Sequence, residues 1–243
     1  MTGWFYWLLK YVLVGPWIKR YNKVIIEGLE NVPDDGAAIM AGNHLSIADW
    51  LFVPVAVKRR ITFLAKSEYF TRPGFKGALE KFFYTQTGQV PIDRSGADAA
   101  EAALNTAKQQ LELGRLVGLY PEGTRSPDGR LYKGKTGVAR LALDTGLPVI
   151  PMAVINTDKV SPPGSNRWYR VQVTVKFGKP MDFSRYAGLA GNRFVERAIT
   201  DEIMYELMKM SGQTYVDVYA STIKNKKSST KATADRIPDT RAG

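Results

Sequence analysis

The chain has no cysteine and only one histidine, His44, in 243 residues. The first absence excludes disulfides, thiolate nucleophiles and thiolate metal sites, and by itself says little about compartment. The second argues against a histidine-rich zinc site, so no metal is assigned. Acid–base chemistry near neutral pH by a side chain of ordinary pKa falls to His44 alone. Acidic residues are also in deficit, 23 against 34 lysines and arginines, for a formal net charge of +11. That surplus suits an anionic partner: nucleic acid, an acidic membrane surface or a phosphorylated substrate. Nucleic acid is set aside, because the cationic stretches are interleaved with carboxylates and no nucleic-acid-binding pattern is present. No internal repeat and no convincing linker divide the chain.

A long apolar run is missing as well. Trp4 to Ile18 is nearly all apolar or aromatic, but its fifteen residues fall short of the roughly 20 that a membrane-spanning helix needs. Lys10 interrupts the apolar region expected of a signal peptide, and no small-residue cleavage pattern follows. Trp4, Tyr6, Trp7, Tyr11 and Trp17 are residues that favour the headgroup layer, and Lys10, Lys19 and Arg20 can reach phosphates from it. Residues 1–20 therefore read as a monotopic membrane anchor, the alternative being a terminal helix that caps a soluble core.

From residue 21 to about 220, candidate strands and helices alternate. Strands are expected at 24–27, 37–41, 61–65, 89–93, 116–120, 149–154 and 170–177. Helices are expected at 46–57, 97–113, 136–145 with Gly146 as C-cap, and 192–210. Pro151 suggests an edge position or a bulge for its strand. A stripe of Phe75, Leu79, Phe82 and Phe83 at helical spacing reads ordinarily as core, the alternative being a membrane interface that its Lys76 and Lys81 would also suit. The pattern predicts one α/β domain with a mostly parallel or mixed central sheet covered by helices. Residues 221–243, polar and lysine-rich without an apolar period, read as a disordered tail.

Gly42-Asn43-His44-Leu45-Ser46-Ile47-Ala48-Asp49 lies where the strand ending at Ala41 hands over to a helix. The carboxyl ends of strands are where α/β sheets commonly expose their sites. Asp49 follows His44 by about a turn and a half of helix, so a tight first turn can bring its carboxylate to one imidazole nitrogen and leave the other free. This is the base-and-orienter half of a triad, without a protein nucleophile. The same spacing also suits a buried, hydrogen-bonded histidine opening a helix.

A second constellation, Tyr120-Pro121-Glu122-Gly123-Thr124-Arg125-Ser126, sits at another strand exit. Arg125 offers a planar fork of donors suited to phosphate, and Gly123 lets the backbone approach a ligand closely. Glu122 can hold Arg125 or accept from a ligand hydroxyl. Lys133 and Lys135 add cations beside a helix start, without P-loop spacing, and Arg94 is a third cation at a strand end. An ordinary surface turn with a Glu–Arg pair is the bland alternative. Together the pieces suit acyl transfer: His44 takes the proton of an acceptor hydroxyl as it attacks an activated carbonyl directly, with no acyl-enzyme intermediate.

In this order the motifs resemble those of the 1-acylglycerol-3-phosphate acyltransferase family. Asn43-His44 to Asp49 is similar to its NHxxxxD box and Pro121 to Ser126 to its PEGTRS box. Gly88 to Arg94 resembles its arginine box, and Val149-Ile150-Pro151-Met152 its fourth, proline-containing box. The similarity covers roughly residues 24 to 177. It implies transfer of a fatty acyl group from acyl-CoA, or acyl carrier protein in some members, to the sn-2 hydroxyl of lysophosphatidic acid, giving phosphatidic acid. It further implies His44 as general base oriented by Asp49, and Arg94, Glu122 and Arg125 as binders of the acceptor's glycerophosphate. Gly123 and Thr124 would shape that site, and Pro151 would belong to the pocket. Acyl-CoA is then a co-substrate and no cofactor is required. The protein would sit monotopically at the cytoplasmic face of a membrane, with an apolar tunnel whose wall candidates are Trp50 to Val57 and the Phe75 to Phe83 stripe. The same boxes occur in relatives that acylate glycerol-3-phosphate, other lysophospholipids or glycolipids. A non-catalytic anionic-lipid-binding protein is the alternative outside the enzyme class.

Overall fold

A computed structural model describes residues 4–92, 99–162, 165 and 167–225. The chain begins with helical turns, α1 (Trp4–Leu8), a π-helical turn (Leu9–Leu13) and α2 (Val14–Asn22). Pro16 has no N–H for the carbonyl four residues back, and the turn before it is the one that widens. Strands follow as β1 (Ile25–Glu27), β2 (Ala38–Gly42), β3 (Ile61–Lys66), β4 (Val90–Ile92), β5 (Leu116–Leu119), β6 (Leu131–Tyr132), β7 (Val149–Ile155), β8 (Thr174–Phe177) and β9 (Tyr215–Val216). The connecting helices are α3 (Asp49–Ala56), α4 (Glu68–Thr71), α5 (Gly74–Gln86), α6 (Ala99–Glu112), α7 (Gly137–Thr145), α8 (Thr157–Val160) and α9 (Arg193–Ser211).

The main sheet has seven strands in the order β1-β8-β7-β2-β5-β3-β4. Its neighbours run parallel except β7 and β8, so the sheet is mixed and mostly parallel, as the alternating pattern predicts. β2 occupies the centre. Its sequence, Ala38-Ile39-Met40-Ala41-Gly42, is buried throughout, the near-continuous apolar run of a strand covered on both faces. Ala38 and Met40 join one core with Phe52, Phe63 and Ile150 under α2 and α3. Ile39 and Ala41 join the other with Val117, Leu141 and Ile203 under α6, α7 and α9. The period of two thus feeds two cores from one strand.

Pro151 corrects one alternative. β7 is an interior strand, with β2 on one side and β8 on the other. The Pro151 carbonyl accepts from Gly178 N–H at 2.8 Å, so its ring nitrogen also faces the β8 side. There the ladder is irregular between the Val149–Met181 bridge and the Met152–Phe177 pair, and no N–H is required. The irregularity, not an edge, accommodates the proline.

The Phe stripe is not core. In α5, Phe75 is 88% exposed and Leu79 and Phe82 are also exposed, while Phe83 packs edge-on against Trp50 with ring centroids 5.5 Å apart. Phe5 meets Phe82 at 5.1 Å, which joins the N-terminal helices to α5. Among the described residues, no helix is long and apolar enough to cross a membrane. Lys10 turns inward and donates to the carbonyls of Val57, Lys58 and Arg59, the free acceptors just past the end of α3. Burial, helped by Lys19, pulls its pKa down to about 8. At the other terminus, residues 220–225 are helical, so the expected tail is ordered over its first five positions, and its remainder lies outside the described residues.

Candidate active site

β2 ends at Gly42, and the chain leaves the sheet there. Asn43 carries the ladder one step further with its side chain. Its Oδ1 accepts from Val154 N–H at 2.8 Å and its Nδ2 donates to the Val154 carbonyl at 2.9 Å. That amide imitates a strand rung and fixes the exit of His44, the next residue. The segment from His44 to Ala48 is a non-helical turn, and α3 starts at Asp49 itself.

Asp49 is fully buried. Its Oδ2 accepts from the backbone N–H groups of Leu45 at 2.8 Å and Ser46 at 3.0 Å, and it lies 2.7 Å from His44 Nδ1. One carboxylate oxygen therefore holds both the loop backbone and the ring. The bond fixes the tautomer: Nδ1 carries the proton toward Asp49, and Nε2 presents a lone pair. Nε2 has no hydrogen bond among the described residues, and the side chain is 22% exposed. The opposite face of the imidazole lies on Tyr120, with centroids 4.1 Å apart and planes 13° apart. Tyr120 stacks in turn on Phe63 at 5.7 Å. Gly118 is what admits Phe63, because a Cβ there would lie 2.3 Å from its ring. The Tyr120 hydroxyl is buried without a hydrogen-bond partner among the described residues, and burial followed by the Asp49 charge pushes its pKa well up.

Glu122 is where the two motifs meet. Its Oε1 accepts from His44 N–H and its Oε2 from Tyr132 N–H, each at 3.0 Å. Ser126 N–H adds a third tie, donating to the His44 carbonyl at 2.7 Å. Glu122 is 1% exposed. Burial raises its pKa to about 7 despite the two backbone donors. The expected Glu122–Arg125 pair does not form: Glu122 turns into the protein, while Arg125 is exposed and has no ion pair among the described residues. Gly123 adopts a left-handed φ of 71°, which a side chain would strain, and the Lys135 side chain lies against it. Thr124 Oγ1 accepts from Lys224 Nζ at 2.7 Å. Lys133 is turned to Asp217 in a 2.9 Å ion pair. Arg94 lies outside the described residues. Asn43, the Tyr120 stack, Gln213 and Lys224 carry parts of the site that the motifs alone do not assign. Asn43 stands inside the first box, whereas Lys224 has no local signal at all.

An apolar cavity opens beside this assembly, between Tyr6 and Val14 of the N-terminal helices, Trp50 and Pro54 of α3, Phe63 of β3, and Phe83 of α5. Phe63 thus lines the cavity and touches the ring that supports His44. The arrangement can take a proton at Nε2 beside a slot for an apolar chain and a group of exposed cations. No group of His, Asp and Glu side chains among the described residues could hold a metal ion.

The likeness to known proteins runs in the same direction. The acyltransferase family profile matches residues 23–155, and the chain belongs to that acyltransferase family, together with the 1-acylglycerol-3-phosphate acyltransferases. It is 34% identical over 149 residues to the chloroplastic 1-acyl-sn-glycerol-3-phosphate acyltransferase LPAT1 of Arabidopsis thaliana, covering 61% of this chain and 40% of that protein. Against the 1-acyl-sn-glycerol-3-phosphate acyltransferase of Haemophilus influenzae it is 28% identical over 181 residues, 72% of each chain. The crystal structure of the 1-acyl-sn-glycerophosphate acyltransferase PlsC from Thermotoga maritima superposes with a TM-score of 0.56. That match has 26% identity and covers 84% of this chain and 88% of that one. The chain spans 40% and 42% of the length of the two chloroplastic plant relatives.

Proposed function

We propose that this protein transfers a fatty acyl group from acyl-CoA to the sn-2 hydroxyl of 1-acyl-sn-glycerol-3-phosphate, giving phosphatidic acid. The observation that carries the reading is the His44–Asp49 pair: Nδ1 held at 2.7 Å by a buried carboxylate, Nε2 open, and, among the described residues, no serine hydroxyl hydrogen-bonded to the ring. A base so placed acts on a proton of the substrate. The acceptor hydroxyl gives its proton to Nε2 while its oxygen attacks the thioester carbonyl. The tetrahedral intermediate collapses, the C–S bond breaks, and the imidazolium returns the proton to the departing CoA thiolate. Asp49 orients the ring and offsets the transient imidazolium charge.

The remaining assignments follow the chemistry of the groups. Arg125 and Lys135, exposed and without ion pairs among the described residues, supply charge for the acceptor's phosphate. Gly123 and Thr124 shape the turn that presents Arg125. Glu122 acts by fixing the backbone of His44, and Pro151 by its place in the strand beside β2. Arg94 is assigned to the phosphate by its motif. The cavity lined by Trp50, Phe63 and Phe83 suits the acyl chain. Trp4, Trp7, Tyr11 and Trp17, continued by Phe75 and Phe82 across the Phe5–Phe82 contact, form an exposed aromatic surface. On a chain of net charge +11 such a surface suits insertion into the headgroup layer of an anionic membrane.

Acyl transfer from a long-chain acyl-CoA to lysophosphatidic acid, glycerol-3-phosphate and lysophosphatidylglycerol tests the reading. Preference for lysophosphatidic acid supports it. Preference for another acceptor keeps the mechanism and changes the substrate, and transfer to none of them, also with an acyl carrier protein donor, favours a lipid-binding protein.

A further inference from the structure

The C-terminal segment returns to the site and is pinned across it. After α9, the Gln213 side chain accepts from Asn43 Nδ2 at 2.7 Å and donates to the Gly129 carbonyl at 2.7 Å. β9 then pairs with β6 in parallel, and Lys133 N–H donates to the carbonyls of Val216 and Val218, both at 3.1 Å. The Lys133–Asp217 ion pair adds a side-chain tie. Ala220 is fully buried, and the helical turn that it opens brings Lys224 Nζ to Thr124 Oγ1, 100 residues earlier in the chain.

We propose that Lys224 is a binding residue for the acceptor's phosphate monoester, contributed by the C-terminal segment and acting with Arg125 and Lys135. This rests on the phosphorylated-acceptor reading above. Three cations gather around the Glu122–Arg125 turn, and none of them has an ion pair among the described residues. The nearby carboxylate, Glu122, is buried and has both oxygens on backbone donors. Burial and the proximity of Arg125 both disfavour the charged form of Lys224. A threonine hydroxyl is a weak, neutral acceptor for an ammonium group, whereas a phosphate oxygen is a charged one and displaces it. The site therefore holds more positive charge than it neutralises, the condition met by an incoming dianion. Lys133, by contrast, is spent on Asp217.

The test compares the full chain with its Lys224→Met and Lys224→Arg variants. The KM values for lysophosphatidic acid and for acyl-CoA are measured separately, with monoacylglycerol as a phosphate-free acceptor. A hydrogen bond to a charged group corresponds to a change of roughly 10-fold or more. The proposal expects Lys224→Met to raise the lysophosphatidic acid KM by about that factor while the acyl-CoA KM and the monoacylglycerol rate stay within about 2-fold. Lys224→Arg should recover most of the loss, since it keeps the charge. An unchanged lysophosphatidic acid KM in Lys224→Met overturns the assignment. A rise confined to the acyl-CoA KM also overturns it and moves the lysine to the donor's phosphates. Equal losses toward both acceptors, not rescued by arginine, would mean that the residue only supports the fold. If the wild-type protein acylates lysophosphatidic acid and the Met variant matches it, only the Lys224 assignment fails. If the wild type acylates no phosphorylated acceptor, the acceptor reading and this inference fail together.

Discussion

Replacing Glu122 by Gln separates the stability of the site from its geometry. The wild-type carboxyl has a folded pKa of about 7 against an ordinary value of 4.5. Between those values the folded protein binds more protons than the unfolded chain, so stability falls as pH rises from about 4.5 through about 7 and is flat above. The whole loss is about 3 kcal/mol. Gln has no charge to bury and removes this cost. However, Gln can accept from only one of the two backbone donors, and its amide N–H must face the other at 3.0 Å. A buried N–H left without its acceptor costs about 1–3 kcal/mol. At pH 8 the two terms nearly cancel and the variant should lie within about 2 kcal/mol of wild type. At pH 5, where the wild-type carboxyl is itself protonated, little relief is left and the variant should be less stable by about 1–3 kcal/mol. Catalysis has no such compensation. Whichever donor the amide nitrogen faces, His44 N–H or Tyr132 N–H, one of the two backbone ties that hold the turn beside His44 is lost, and misplacement of the base by about 1 Å can cost on the order of 100-fold. Urea denaturation at the two pH values, beside separate kcat and KM measurements, reads both effects. A fall in kcat with little change in acceptor KM is expected. A raised acceptor KM at unchanged kcat would refute the reasoning and make Glu122 a direct contact of the acceptor.

Other substitutions test other parts of the site. Tyr120→Phe removes a buried hydroxyl that has no partner among the described residues while keeping the ring on His44, so the variant should be equally or more stable, by up to about 1–3 kcal/mol, with kcat unchanged. A clear loss of activity would show that the hydroxyl takes part. Asp49→Asn can keep the backbone N–H bonds of Leu45 and Ser46 through its amide oxygen, yet it no longer holds a charge against an imidazolium. The rate of acyl transfer to lysophosphatidic acid should fall by about 10²- to 10⁴-fold. Trp4→Ser with Phe75→Ser removes two of the most exposed aromatics and should weaken sedimentation with anionic vesicles while changing the melting temperature little. Vesicle binding equal to wild type would place the membrane contact elsewhere.

How far the sequence foretells such a site depends on the range of the forces that build it. The central strand was legible because Ala38 to Gly42 is a short apolar run ended by a glycine, and local sterics with burial on both faces decide such a segment. The His44–Asp49 contact was legible for a similar reason: the two partners lie five residues apart in the chain, and the spacing limits where the carboxylate can go. Glu122 was expected either to hold Arg125 or to accept from a ligand hydroxyl, whereas the fold gives its oxygens to the backbone of His44 and Tyr132. Which donors a buried carboxylate meets is set by how two strand exits converge, and no local pattern encodes that. Phe75, Leu79 and Phe82 have core-like periodicity in a helix whose apolar face is uncovered in this chain. Periodicity reports a preference to leave water and cannot distinguish a protein core from a lipid surface. Lys224 was read as part of a polar tail because its place depends on Gln213, β9 and Ala220, each held by residues far away in sequence.

The central claim is that the open Nε2 of His44 takes the proton of an acceptor hydroxyl in a direct transfer. It is tested most directly by kcat/KM for acyl transfer from a long-chain acyl-CoA to lysophosphatidic acid, in wild type and in His44→Ala, with circular dichroism and vesicle binding measured on the same samples. The side chain is partly exposed and makes one hydrogen bond among the described residues, so fold and vesicle binding should persist while kcat/KM drops by about 10²- to 10⁴-fold. A His44→Ala protein that is folded and transfers the acyl group within about 3-fold of wild type, far inside the span expected for loss of a general base, would contradict the account.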